Sequence, residues 1–158
     1  MFYNPKYEEL SDAFRDIAEN VLKHFGGKPD YIIGLQRGGL IPAVHISHLL
    51  NTPLKVADYS HTDSVGDNKH SHIDYIPELP YTVRKVLLVD DILDTGSAVN
   101  GFLNALQLHD DCEVVIATLY NKRGNIVDNC KYTIFAWRTI QPGDPFVNFP
   151  WEGEYETL

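Results

Sequence analysis

Most of the chemistry legible in this chain lies in one stretch, VLLVDDILDTGSA, residues 86–98. An apolar run from Val86 to Val89 leads into two adjacent acids, Asp90 and Asp91, with no basic residue beside them. After Ile92 and Leu93 comes a third acid, Asp94, followed by Thr95, Gly96, Ser97 and Ala98. Paired carboxylates at a strand end suit two tasks: holding a divalent cation, or accepting hydrogen bonds from neighbouring ribose hydroxyls. The Asp-Thr-Gly-Ser run stands between a buried strand and a helix, where unpaired amides and the helix dipole favour an anion. Gly96 permits close backbone approach, and Thr95 and Ser97 add hydroxyl donors. Helix capping also selects Asp, Thr and Ser at such a point. Capping does not explain the Asp90-Asp91 pair. A phosphate pocket beside a diol or metal site describes a sugar phosphate. Neither GxxxxGK[ST] nor GxGxxG occurs, which argues against a nucleotide-triphosphate loop and the usual dinucleotide fold.

These residues need a frame to hold them. Leu10, Phe14, Ile17, Val21 and Phe25 recur at helical spacing, with Asn4-Pro5 as expected cap and first position and Gly26-Gly27 as the stop. YIIGL (31–35) reads as a buried strand, QRGG as a turn and LIPAVHISHLL (40–50) as a helix ending at Asn51. LKVADY (54–59) and residues 85–91 are further strands, and a helix runs from about Ser97 to Leu108. EVVIATLY (113–120) and KYTIFAW (131–137) complete the strands. Strands alternating with helices imply an α/β fold with a mostly parallel sheet, whose ligands bind at the carboxyl ends of the strands. The turns at 36–39 and 92–98 both fall at those ends, so the site is expected between them.

Residues 60–82 are polar, carry glycine and two prolines, and show no sustained period, which marks a functional or mobile loop. His61, His70 and His72 with Asp63 and Asp67 are read there as solvated loop residues in preference to a metal site. At 158 residues the chain is expected to form one domain. Its net charge of −9 argues against a broad nucleic-acid or anionic-membrane footprint. Cys112 and Cys130 lie in no metal-type spacing and are read as free thiols of a reducing compartment. No signal peptide or membrane span is visible, so a cytoplasmic protein is expected.

VLLVDDILDTGSA resembles the phosphoribosyl-pyrophosphate motif of the type I phosphoribosyltransferases. IIGLQRGGLIPA (32–43) is similar to that family's pyrophosphate loop, and the resemblance implies that Gln36, Arg37 and Gly38 face the pyrophosphate across a strained peptide between Gln36 and Arg37. On its own, QRGG also fits a solvated turn. TLYNKRG (118–124) and DPFVNFPWE (144–152) resemble base-binding segments of the 6-oxopurine branch, the hypoxanthine, guanine and xanthine enzymes. Carried over position by position, Lys122 donates to the purine 6-oxo group, Phe146 stacks on the ring and the Val147 backbone reads its edge. Taken singly, Phe146 reads as a packing residue and Lys122 as a solvated loop charge; together and in this order they point to base binding. The resemblance further implies Mg²⁺ held by Asp90, Asp91 and Glu152, and a phosphoribosyl-pyrophosphate pocket of Asp90, Asp91, Asp94, Thr95, Gly96, Ser97 and Ala98. At Ala98 these enzymes usually carry a threonine that touches the 5′-phosphate, so one donor is missing.

The fold implied is that of the type I phosphoribosyltransferases: a mostly parallel twisted sheet flanked by helices, core about 28–137, a flexible lid about 60–82 and a small base-binding hood about 138–158. The reaction implied joins a purine to the activated sugar and releases pyrophosphate, with Asp94 as catalytic acid/base. Expected partners are these two small-molecule substrates, with no nucleic acid and no membrane, in a dimer or tetramer of like chains. Two rivals stand beside it: an enzyme of this fold for another base, and a non-catalytic nucleotide sensor.

Overall fold

In a computed structural model the described residues are 2–59, 74–94, 96–122 and 132–153. Among the described residues ten elements follow one another: β1 (Phe2–Tyr3), α1 (Tyr7–Phe25), β2 (Tyr31–Leu35), α2 (Leu40–Leu50), β3 (Leu54–Ala57), β4 (Lys85–Leu93), α3 (Ser97–Ala105), β5 (Glu113–Lys122), β6 (Thr133–Ile140) and β7 (Phe146–Val147). Five strands form one all-parallel sheet in the order β3-β2-β4-β5-β6. Parallel strands covered on both faces read as unbroken apolar runs, and Val86, Leu87, Leu88 and Val89 of central β4 are all buried.

Alternation divides that run between two cores. Leu87 and Val89 join Leu10, Phe14 and Ile17 of α1 and Ile46 of α2. Val86 and Leu88 join Val99, Phe102 and Leu103 of α3. The sheet is therefore clamped from both sides, and its carboxyl edge is left to loops. Strand order reverses between β2 and β4, which sets the loops after those two strands side by side at the topological switch point.

The expected elements are present, with shifted ends. α1 does stop at Gly26, at φ 67°, and α2 at Asn51, at φ 48°. Its start differs from expectation. The N-cap of α1 is Lys6, without a side-chain capping bond, because the Asn4 side chain accepts the Asn148 amide at 3.0 Å instead. β3 closes at Ala57, and Asp58 then bridges antiparallel to Tyr75. α3 ends at Ala105, because Leu106 turns to extended backbone. β4 and β5 run two residues longer than expected, to Leu93 and Lys122, and β6 runs from Thr133 to Ile140. A second, two-stranded parallel sheet of β1 and β7 has no counterpart in the sequence reading.

Cys112 is a half-buried free thiol. Cys130, the histidines at 61, 70 and 72, and most of the expected lid lie outside the described residues. Among the described residues no helix is long and apolar enough to cross a membrane.

Candidate active site

The loop after β2 is built by short backbone bonds. Gln36 N–H donates to Ala57 O at 2.7 Å, Gly39 N–H to Leu35 O at 2.9 Å, and Leu40 N–H to Arg37 O at 3.1 Å. The Gln36–Arg37 peptide is cis, which agrees with the unusual peptide expected there. Gln36 Nε2 donates to Asp58 Oδ2 at 3.2 Å, tying the loop to the end of β3. Gly38 lies so close to β4 that a Cβ there would meet Asp91 Oδ2 at 2.0 Å. A Cβ on Gly39 would meet Val89 O at 2.4 Å. Glycine is what lets the two loops touch.

On β4, Asp90 Oδ1 accepts the Asp91 N–H at 2.9 Å, and Asp91 Oδ1 accepts the Ile92 N–H at 2.7 Å. Neither carboxylate pairs with a cationic side chain among the described residues. Burial, followed by the Asp91 charge, pushes the Asp90 carboxyl well above the usual range. Burial raises Asp91 as well, against the opposing pull of the Ile92 N–H. Two half-buried acids whose charge is disfavoured and uncompensated gain from a cation or from hydroxyl donors. Among the described residues no three His, Cys, Asp or Glu side chains converge into a complete metal site. The donor set still fits Mg²⁺, which commonly takes one or two carboxylates and completes its shell with substrate phosphates and water.

The phosphate-type loop passes from Asp94 to α3. Its N-cap is Gly96 at φ 78°, a left-handed conformation that favours glycine. Ser97 and Ala98 form the first turn, and Thr95 lies outside the described residues. Asp94 has turned across to β5. Its Oδ2 accepts from Lys122 Nζ at 3.0 Å. Exposed ion pairs contribute only about 0–1 kcal/mol, so stability alone is a weak reason for this one.

Two cavities flank the end of β4. Arg37, Gly38, Asp91, Trp151 and Glu152 line the first, of about 490 Å³. Glu152 is held in place by its Oε2, which accepts the Phe149 N–H at 2.8 Å. Ile92, Lys122, Ile140, Phe146 and Val147 line the second, of about 430 Å³, together with the turn 141–145. Asp91 and Ile92 are consecutive on β4, so a ligand reaching across that strand end touches both spaces. A further cavity of about 480 Å³, near His24, Cys112 and Glu113, lies at the amino ends of β5 and β6, away from these loops.

The expected residues thus fall into two groups. Arg37, Gly38, Asp91 and Glu152 share one cavity; Lys122, Phe146 and Val147 share the other, with Asp94 at Lys122. Asp90, Gly96, Ser97 and Ala98 are on the connecting backbone. Sequence reasoning missed Trp151, Ile92 and the 140–145 turn as lining residues. Ile92 carried a signal, an apolar residue set among acids on a strand end. Trp151 carried none beyond its neighbour Glu152.

A parallel α/β sheet with its acids and glycine loops gathered at the switch point defines an α/β domain whose candidate ligand site lies at the carboxyl edge of the sheet. A family model fixes it more closely. The phosphoribosyl transferase domain matches residues 6–152, and the chain belongs to that family. It is 29% identical over 129 residues to a hypoxanthine-guanine phosphoribosyltransferase of Lactococcus lactis subsp. lactis, covering 77% of this chain and 68% of the relative. It is 28% identical over 156 residues to a xanthine-guanine phosphoribosyltransferase of Idiomarina loihiensis, covering 92% and 84%. The crystal structure of a purine phosphoribosyltransferase from Pyrococcus horikoshii Ot3 superposes with a TM-score of 0.70 at 28% identity, covering 99% of this chain and 97% of that one.

Proposed function

We propose that this chain transfers the 5-phosphoribosyl group from phosphoribosyl pyrophosphate to a 6-oxopurine, giving the nucleoside 5′-monophosphate and pyrophosphate. The observation that carries this reading is the Lys122–Asp94 pair at 3.0 Å, set beside the cavity that Phe146 and Val147 line. On a 6-oxopurine the O6 acceptor and N7 are neighbours on one edge. A lysine ammonium and a carboxylate in contact match that edge when O6 accepts and N7 carries a proton. Adenine offers an amino group where the lysine needs an acceptor. Phe146 supplies a stacking face, worth about 1–3 kcal/mol per base.

The sugar phosphate takes the other side of β4. The Gly96–Ala98 turn at the start of α3 faces the 5′-phosphate, with Ser97 as hydroxyl donor and Thr95 assigned the same part. Asp90 and Asp91 would hold the ribose hydroxyls and Mg²⁺, and Gln36, Arg37 and Gly38 would meet the pyrophosphate. Glu152, in the same cavity as Arg37 and Asp91, completes the protein ligands. Mg²⁺ bound there would offset charge on the pyrophosphate as it leaves.

In the chemical step purine N9 forms a bond to the anomeric carbon. The bond from that carbon to the pyrophosphate oxygen breaks, and its electron pair leaves with pyrophosphate. The purine N7 proton passes to Asp94, whose position against Lys122 keeps it at the base edge. Arg37 meets the charge that develops on the leaving group.

Pyrophosphate release, measured with Mg²⁺, phosphoribosyl pyrophosphate and a panel of bases, tests the assignment. Release with hypoxanthine, guanine or xanthine is expected. Release with adenine alone removes Lys122 from its role, and release with no base sinks the enzyme reading. Asp94→Asn should lower kcat by about 10²- to 10⁴-fold while leaving phosphoribosyl-pyrophosphate binding nearly unchanged.

A further inference from the structure

The first residues of the chain have no task in this scheme, yet the fold joins them to the base cavity. β1 pairs in parallel with β7, Phe2 opposite Phe146 and Tyr3 opposite Val147. Side chains alternate across a strand, so Phe2 and Phe146 share one face and Tyr3 and Val147 the other. Tyr3 and Val147 pack against the core beneath α1. Phe2 and Phe146 point away from it, 66% and 70% exposed, with ring centroids 6.3 Å apart and planes tilted by 44°. Rings this open bury little area on folding.

A two-residue strand cannot hold itself in place by backbone pairing. β1 is held by its backbone bond beside β7 together with the Tyr3 side chain. Tyr3 O accepts the Asn148 N–H at 2.9 Å. The Tyr3 hydroxyl donates to Glu9 Oε1 of α1. Arg138 of β6 donates to the Tyr3 hydroxyl at 3.4 Å and to the same Glu9 oxygen at 2.8 Å. The clasp thus ties β7, and with it Phe146, to the rigid body of the sheet and α1.

We propose that β1 is a positioning element of the base site, with Phe2 setting the orientation of the Phe146 ring on which the purine stacks. The inference rests on the base site proposed above. An aromatic pair in this tilted arrangement adds about 0.5–1.5 kcal/mol beyond burial, which converts to roughly 2- to 12-fold in affinity.

The test compares the full chain with Phe2→Ala, Phe2→Tyr, Phe146→Ala and the double Ala variant, reading kcat, KM for guanine, KM for phosphoribosyl pyrophosphate and Tm. Phe2→Ala should raise the guanine KM about 3- to 10-fold and leave the sugar-phosphate KM within twofold. Phe2→Tyr should restore it. The double variant should lose less than the two single losses multiplied together, because both act through one ring. An unchanged guanine KM in Phe2→Ala, or a parallel rise in both KM values with a lower Tm, overturns the proposal. A wild-type chain that releases no pyrophosphate with any purine overturns the base site itself, and this inference with it; an active wild type with an indifferent Phe2→Ala overturns only the latter.

Discussion

Replacing Gly38 by alanine probes whether the Arg37 loop and Asp91 act as one unit. A Cβ at Gly38 falls 2.0 Å from Asp91 Oδ2, 2.3 Å from Cγ and 2.6 Å from Oδ1. Ordinary contact begins near 3.4 Å, so the carboxylate or the loop must give way by about 1.4 Å. Neither is free to do so cheaply. Asp91 Oδ1 is bound to the Ile92 N–H at 2.7 Å, and the loop is bound at Gly39 to Leu35 O at 2.9 Å. Misplacing a catalytic constellation by about 1 Å can cost on the order of 10²-fold in rate. We therefore expect kcat/KM for phosphoribosyl pyrophosphate to fall about 100-fold in Gly38→Ala. Overpacking itself costs about 1–3 kcal/mol, so Tm should drop by several degrees. Gly34→Ala is the control: its Cβ would meet Ala43 Cβ at 2.8 Å inside the β2–α2 packing. That variant should lose similar stability and keep its activity. Initial rates of pyrophosphate release at varied sugar phosphate, beside a thermal melt, read both quantities. If Gly38→Ala keeps more than half of kcat/KM while melting no lower than Gly34→Ala, the coupling of loop and acid is refuted.

Two further outcomes follow from the site. Asp90 has its folded pKa raised by burial and by Asp91, so its charge destabilises the folded state as pH climbs above the unfolded value of about 3.9, and fully so above the folded value. Asp90→Asn should therefore melt above the wild type without Mg²⁺ at pH 8, by about 2–4 °C per kcal/mol relieved, with the gap closing towards pH 4; a gap independent of pH contradicts the assigned cause. Lys122→Met should raise KM for 6-oxopurines roughly 10- to 150-fold, the cost of a hydrogen bond to a charged group, with little change for the sugar phosphate. Equal losses for adenine and hypoxanthine would show that Lys122 does not read the 6-oxo group.

The sheet was legible because parallel strands buried on both faces leave continuous apolar runs: β2 and β4 stood out for that reason. The turns at 36–39 and 92–98 stood out through glycine and acid, and the switch point between β2 and β4 does bring them together. Element ends were less legible. β5 runs on to Lys122 because its partners β4 and β6 extend alongside it, a tertiary cause that local pattern does not carry. β1 and β7, two residues each, have no period to detect. The pairing of Lys122 with Asp94 was likewise invisible, since it depends on the register of β4 against β5, Leu93 opposite Asn121.

The parallel pairing of β1 with β7 also orders the way the molecule is put together. Asn4 and Asn148, next to that pairing, are 144 positions apart in the chain, whereas the loops after β2 and β4 are separated only by α2, β3 and β4 with their connections. Contacts of low sequence separation form early and distant ones late. Asp90, Asp91 and the loops after β2 and β4 can therefore come together while the chain is still growing through β5, whereas Trp151 and Glu152 join their cavity only later. The base end must wait until β7 is made and returns to find β1. A nascent or truncated chain ending before Phe146 would own the acids and the glycine loops but no closed base pocket.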